Sequence, residues 1–466
     1  MESYTNNQML NNTQTSHPRN VFISFLGTNN YLQTRYQWNE EEPSKPVRFI
    51  QEAIISRIAK GWTKDDRIFI FCTDGDNGSY KLNWLDNGQT RFNEKDEKDQ
   101  EIEKIGLQHR LNDLHLKAQI EGDIIPEGFS EDEVWNMFNK VYNKLKPSDK
   151  IYFDITHAFR SIPLFASSLF NFAQYVLKTE IISVNYGAFE KLGPAYKVKE
   201  MPIKNRIAPV VDMTNIVKLQ KLTETATSIT EFGRTQKNII KNIQKLTGVK
   251  DGNAIKTIIS GISDLDNNIQ TNRLFAIKEG KYIEKINRTQ KQLNKSETIR
   301  KPVLEIINEI NSKLKEFGFE NDNSNSNILA AIKWATKYDM LPQAYTLTRE
   351  YVLIRIADYF SDLNPFTGEE ADKDFHEYIS SILSMKEKDV LNKNFNGLLK
   401  EYMELTQALL EKDIIKELRN KNAYMKLAQN RNIINHAKRG NDYNSIKNAF
   451  NSSHKICLSI LNKYGL

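Results

Sequence analysis

At 466 residues the chain is too long for one ordinary hydrophobic core and divides into two or three units. With 39% hydrophobic and 27% charged residues it has neither the balance of a membrane protein nor that of a chain disordered throughout. Its net charge of +6 tolerates a polyanionic partner without demanding one, because that charge is dilute over this length.

In chain order, the stretch to Asn20 is rich in Asn, Thr and Gln with no apolar run, so residues 1–19 read as a loose tail and not a signal peptide. Val21 to Leu26 is a buried strand ending at Gly27. Val47, Ile50, Ile54 and Ile58 recur at helical spacing, and Ile68 to Cys72 is a second strand running into Thr73-Asp74-Gly75. The interval 76–128 breaks this rhythm with a dense charge run from Glu94 to Lys104 and reads as an insertion. Val134, Phe138, Val141 and Leu145 mark a helix face, Ile151 to Asp154 a third strand, a helix follows to about Leu177, and Ile181 to Tyr186 is a fourth strand. The longest apolar stretch, Ile162 to Leu177, is broken by Ser167, Ser168, Asn171 and Gln174 and does not span a bilayer.

Strands alternating with helices imply a parallel sheet covered on both faces. After Pro209 the strand signal fades. Residues 209–326 read as a helical connector closed by the polar linker Glu320 to Asn327, and residues 327–466 as an all-helical domain. The fold class is therefore α/β plus all-α. Cys72 and Cys457 are far apart with no metal-ligand spacing, which suits a reducing cytoplasm. The basic run Lys278 to Lys301 carries interspersed glutamates and reads as a solvated helix face ahead of a nucleic-acid track.

Two constellations carry chemistry. Open parallel sheets bind ligands beyond the carboxyl ends of their strands. Here three strands end in small polar clusters: Gly27-Thr28-Asn29-Asn30, Thr73-Asp74-Gly75, and Asp154 to Ser161, which holds Thr156, His157 and Arg160. Glycine permits close backbone approach, the short polar side chains donate, and Arg160 can fork onto a phosphate, so together they suit a phosphate-bearing nucleotide. Turn and cap chemistry accounts for any one of them taken singly. No G-x-G-x-x-G is present, which argues against a dinucleotide cofactor.

The second is Arg431-Asn432-Ile433-Ile434-Asn435-His436, an R-x4-H. Given the chain's arginine and histidine content, chance supplies about 0.3 such pairs, and Arg110 to His115 matches too, inside the interval read as an insertion and with Leu at its second position. The chemistry is coherent: Arg431 can hold a phosphate, His436 can move protons, and Asn432 and Asn435 can orient them while an RNA 2′-hydroxyl attacks its own phosphate. Residues five apart on an ideal helix diverge by about 140°, so two such pairs about a two-fold axis make a better cleft than one.

These constellations, in this order, with Ile23 to Tyr31 and Ala344 to Glu350, make the chain from about residue 20 onward resemble the CARF–HEPN ribonucleases of type III CRISPR defence. The resemblance implies a Rossmann-like CARF sensor over residues 20–208 and a HEPN nuclease over 327–466. It implies a cytoplasmic homodimer, or a higher oligomer, that binds cyclic oligoadenylate and then cuts single-stranded RNA without metal or other cofactor. Cyclic tetra-adenylate is favoured ahead of hexa-adenylate. Carried over by motif, Gly27, Thr28 and Asn29 match the first ligand loop, Thr156, His157, Arg160 and Ser161 the second, and Arg431 with His436 the nuclease motif. Two alternatives stand beside it: a ligand-responsive nucleic-acid-binding regulator with a silent helical domain, and a toxin-like ribonuclease held by an antitoxin.

Overall fold

The computed structural model describes residues 18–85, 95, 105–157, 162–235, 249–297, 301–318, 324–435 and 442–466. The chain forms two compact units, Met1–Lys218 and Leu219–Leu466.

The first unit is built on a seven-stranded sheet. Its strands are β1 (Asn20–Leu26), β2 (Arg35–Trp38), β3 (Arg67–Thr73), β4 (Gln119–Ile125), β5 (Lys150–Asp154), β6 (Glu180–Gly187) and β7 (Ile207–Asp212), in the order β2-β7-β6-β5-β1-β3-β4. β1 lies between β5 and β3, parallel to both, which is why its residues after Asn20 are apolar almost without a break and all buried. Alternate residues serve opposite faces. Phe22 and Leu26 pack with Ile50 and Ile54 of helix α1 (Ile50–Ile58). Val21, Ile23 and Phe25 pack with Met137 and Val141 of a helix over Glu131–Tyr142 and with Leu169 and Phe170 of a helix over Ile162–Val176.

The helix Ile162–Val176 has no charged residue in its fifteen positions. Its inner side fills the core, yet Leu164, Phe172, Tyr175 and Val176 stand 77, 44, 77 and 44% exposed. Trp135 of the neighbouring helix, 56% exposed, extends this apolar face through Phe138.

Three strands escaped the sequence reading. β4 lies inside the interval 76–128, which is therefore no simple insertion: its strand pairs in parallel with β3 along its whole length. β4 is an edge strand whose Glu121 and Asp123 meet Lys144, so it lacks the apolar run that betrays a buried strand. β2 has four residues. β7 spans Pro209, where the strand signal was expected to end. Proline is tolerated there because its carbonyl is what the ladder uses, accepting from the Ala188 N–H at 2.9 Å.

The second unit is helical, and its core is continuous. Leu222 and Ile229, then Ile258 and Ile262 of the helix Val249–Gln270, pack into the same core as Leu347 of the helix Leu341–Tyr359, Leu427 of the helix Ala423–Asn435 and Phe450 of the helix Tyr443–Lys463. The stretch expected to be a separate connector thus shares the core of the expected C-terminal domain. The polar linker is shorter than expected, since the helix Ser324–Lys337 takes up its last residues and buries Asn327 against Gly318. In the helix Lys281–Leu293 of the basic run, Tyr282, Ile283, Ile286 and Leu293 face the core while Lys285, Arg288 and Lys291 are exposed. Among the described residues no helix is long and apolar enough to cross a membrane.

Candidate functional site

The sheet order reverses at β1. The chain proceeds from β1 to β3 and β4 on one side, then returns to place β5 and β6 on the other. A crevice opens beyond the carboxyl ends of strands at such a reversal. Because Ser24 is in register with Asp154, the loops after β1 and β5 leave the sheet side by side.

Asp154 is the hub of this corner and is 1% exposed. Its carboxylate accepts from Ser24 Oγ at 2.8 Å, and from Thr156 Oγ1 at 2.6 Å and the Thr156 N–H at 3.0 Å. Gln51 of α1 in turn donates to Ser24 Oγ at 3.0 Å. Thr156 Oγ1 also accepts the Gly187 N–H at 2.8 Å, tying the loop after β5 to the end of β6. These bonds are inward, so Asp154 and the Thr156 hydroxyl shape the crevice and do not reach into it. Burial pushes the Asp154 carboxyl up to about 6, against the lowering effect of its hydrogen bonds.

His157 lies over Tyr31, ring centroids 4.3 Å apart, with its Nε2 closed to solvent and without a hydrogen-bond partner. Burial holds its imidazole down at about 3, so it is neutral at physiological pH. Gly27 is needed at the junction of the two loops: a Cβ there would lie 2.6 Å from the Tyr31 hydroxyl. Thr28 and Asn30 are half-buried and Asn29 is exposed. Thr73, opposite across β3, is 1% exposed and closes its own turn, since its N–H donates to Ser79 Oγ at 2.9 Å while its Oγ1 accepts the Ser79 N–H. Asp74 and Gly75 form the exposed tip of that turn, where Asp74 accepts the Gly75 N–H and Gly75 has a positive φ of 91°. Arg160 and Ser161 lie outside the described residues. Sequence reasoning missed Ser24 and Gln51; polar residues on otherwise apolar faces were the available signal.

Buried Asp154 and half-buried His157 give the corner a pH signature. In the folded chain Asp154 keeps its proton up to about pH 6, where the unfolded carboxyl has lost it from about 3.8. Its contribution is thus present at low pH and is lost as pH rises through about 6. His157 runs the other way: the unfolded imidazole takes up a proton below about 6.5, the folded one only near 3, so its contribution is lost as pH falls. Between pH 4 and 6 the pair nearly cancels. Asp154→Asn removes one arm. Its stability relative to wild type, measured by urea unfolding, is expected to climb by roughly 2 kcal/mol from pH 4 to pH 6 and to level off by about pH 7. A constant difference across that range would contradict the assignment.

In the second unit Arg431 is half-buried in the helix Ala423–Asn435. Its Nη1 donates to Asn432 Oδ1 at 3.2 Å, whereas its Nε is closed to solvent with no partner. Asn432 is exposed. Asn435 ends the helix with its side chain outside the described residues, and His436 lies outside them too. Residues 344–350 fall in the helix Leu341–Tyr359. The Tyr345 hydroxyl donates to the Ile446 carbonyl at 2.8 Å and its ring packs edge-on against Phe450. Arg349 donates to Ser380 at 2.9 Å and pairs with Glu350. The competing Arg110 lies 3.6 Å from Glu52 and donates to the Ile105 carbonyl at 3.3 Å.

Residues 21–190 match the family model of the CARF domain of the CRISPR system endoribonuclease Csx1. The CRISPR-associated protein MJ1674 of Methanocaldococcus jannaschii is 28% identical over 155 residues, 30% of this chain and 23% of that protein, so the similarity spans under a quarter of the relative's length. A structure of Enterococcus italicus Csm6 bound to cyclic hexa-2′-fluoro-hexa-dAMP aligns over 95% of this chain and 94% of that one, with 10% identity and a TM-score of 0.43.

Proposed function

We propose that this chain is a ring-activated endoribonuclease: cyclic oligoadenylate binds across two copies of the CARF unit, and the helical units of the same two copies then cut single-stranded RNA. The observation that carries the reading is the match of residues 21–190 to a Csx1-type CARF domain, in a chain whose polar loops flank the sheet's reversal point and whose helical unit holds Arg431.

In this reading Gly27, Thr28, Asn29 and Asn30 approach the ring by backbone and short side chains, with Asp74 and Gly75 at the rim on the turn that Thr73 closes. Asp154 and Thr156 brace the second loop, His157 supplies a neutral ring surface, and Arg160 with Ser161 meets phosphate. At the nuclease cleft Arg431 neutralises charge on the phosphate while the 2′-oxygen attacks phosphorus and the 5′-oxygen departs. A histidine takes the 2′-hydroxyl proton and a proton is returned to the leaving oxygen, His436 of the two copies serving in turn, with Asn432 and Asn435 orienting them. The products are a 2′,3′-cyclic phosphate and a free 5′-hydroxyl, and no step requires a metal. The second copy is supported by the uncharged helix Ile162–Val176, whose apolar outer face suits a self-complementary two-fold contact.

Labelled single-stranded RNA, incubated in EDTA with cyclic tetra-adenylate or hexa-adenylate and without either, tests this. Cleavage that depends on one of the rings and leaves cyclic phosphate ends is expected. RNA bound but uncut at every ring size would favour the silent regulator, and equal cutting with no ring would favour the toxin-like reading.

A further inference from the structure

The interval between β3 and β4 reaches under the first ligand loop. Residues Tyr80–Leu85 form a short π-helical turn, a geometry that often marks functional positions. The turn is anchored by Trp84, 2% exposed, whose ring lies so close to Gly122 of β4 that a Cβ there would meet it at 2.3 Å. This fixes the neighbouring Asn83, also 2% exposed. Its Nδ2 donates to the Gly27 carbonyl at 2.8 Å and to the Asn29 carbonyl at 2.9 Å. Its Oδ1 accepts from Arg48 Nη2 at 3.3 Å. Two carbonyls on one side and a guanidinium on the other leave a single orientation of the amide that satisfies every partner.

Arg48 is itself held. Its Nη1 donates to the Ile105 carbonyl at 3.0 Å, and its guanidinium lies 4.8 Å from the centre of the Phe49 ring. Glu52 accepts the N–H groups of Arg48 and Phe49 at 3.0 and 2.8 Å. The backbone at the start of α1, the Tyr80–Leu85 turn and the Gly27–Asn29 loop are therefore joined through one buried amide.

We propose that Asn83 is a positioning residue of the sensor: by spanning the Gly27 and Asn29 carbonyls it holds the first ligand loop in its receiving shape. The identity of the ligand rests on the ring-sensing reading above; the holding of the loop does not.

Asn83→Asp is the sharp variant, since it retains a partner for Arg48 but sets carboxylate oxygens against two carbonyls. Hydrogen exchange of the ligand-free protein should show the amides of residues 28–31 exchanging about tenfold faster in N83D, as expected for two lost buried bonds. The ring concentration for half-maximal RNA cleavage should rise about tenfold while the maximal rate at saturating ring stays near wild type, the thermal midpoint falling by only about 2–4 °C. A general packing defect would instead lower the midpoint further and the maximal rate with it. Arg48→Gln, which loosens the amide from the far side, should move both readouts the same way by less, and it serves if N83D does not fold. Unchanged exchange at residues 28–31, or faster exchange with an unchanged activation constant, would overturn the proposal. A wild-type protein that binds no ring would overturn the ring-sensing reading alone, with exchange still deciding the part played by Asn83.

Discussion

Arg431→Ala is expected to reduce ring-stimulated RNA cleavage by at least about a hundredfold, while the affinity for the ring and the thermal midpoint stay near wild type. The reason lies in what Arg431 lacks. Among the described residues its guanidinium donates only to the exposed side chain of the next residue, Asn432, and its Nε has no partner, so the folded unit draws little stability from it. Removing it should cost the chemistry and spare the fold. Arg431→Lys should recover only a small part, because a point charge replaces a planar fork with several donors. Gel assays of end-labelled RNA with equilibrium ring binding separate these outcomes. Full cleavage by Arg431→Ala would move the active site elsewhere. Loss of ring affinity would make Arg431 a structural residue of the sensor response.

The second large effect concerns assembly. The exposed side chains of Leu164, Phe172, Tyr175, Val176 and Trp135 offer on the order of 500 Å² of apolar surface per copy, the larger part of the roughly 800 Å² that each partner buries in a standard interface. No lysine or glutamate on the helix Ile162–Val176 would repel or steer a partner, so an identical face is a fitting one. Tyr175→Glu with Phe172→Asp puts two charges on each side of that contact. The pair is expected to weaken self-association by more than about a hundredfold and to abolish ring-stimulated cleavage, with helical content unchanged. Sedimentation at matched concentration, followed by the cleavage assay, checks both. A double variant that stays dimeric and active would assign this face to something other than the second copy.

How much of this was legible follows from where each residue's partners lie. β1, β3 and β5 announced themselves because buried parallel strands must be apolar on both faces, and the polar clusters after them stood out by contrast. β4 did not, since an edge strand carrying Glu121 and Asp123 resembles a charged loop, and β7 was masked by its own Pro209. The shared core of the second unit was illegible for a related reason: helical spacing shows that Ile258 or Ile262 is buried, but not against which helix. In the candidate site the loops could be read from composition, whereas Asn83 could not. Its partners are backbone carbonyls more than fifty residues earlier in the chain, and nothing in its neighbourhood marks it.

In the proposed function, ring occupancy of the first unit governs cutting by the second. The direct measurement titrates a synthetic ring into a fixed concentration of protein, following bound ring and RNA cleavage rate in the same samples. The two are expected to rise together and break at one ring for every two chains. A ring that binds without changing the rate, or a full rate before any ring is bound, would contradict it.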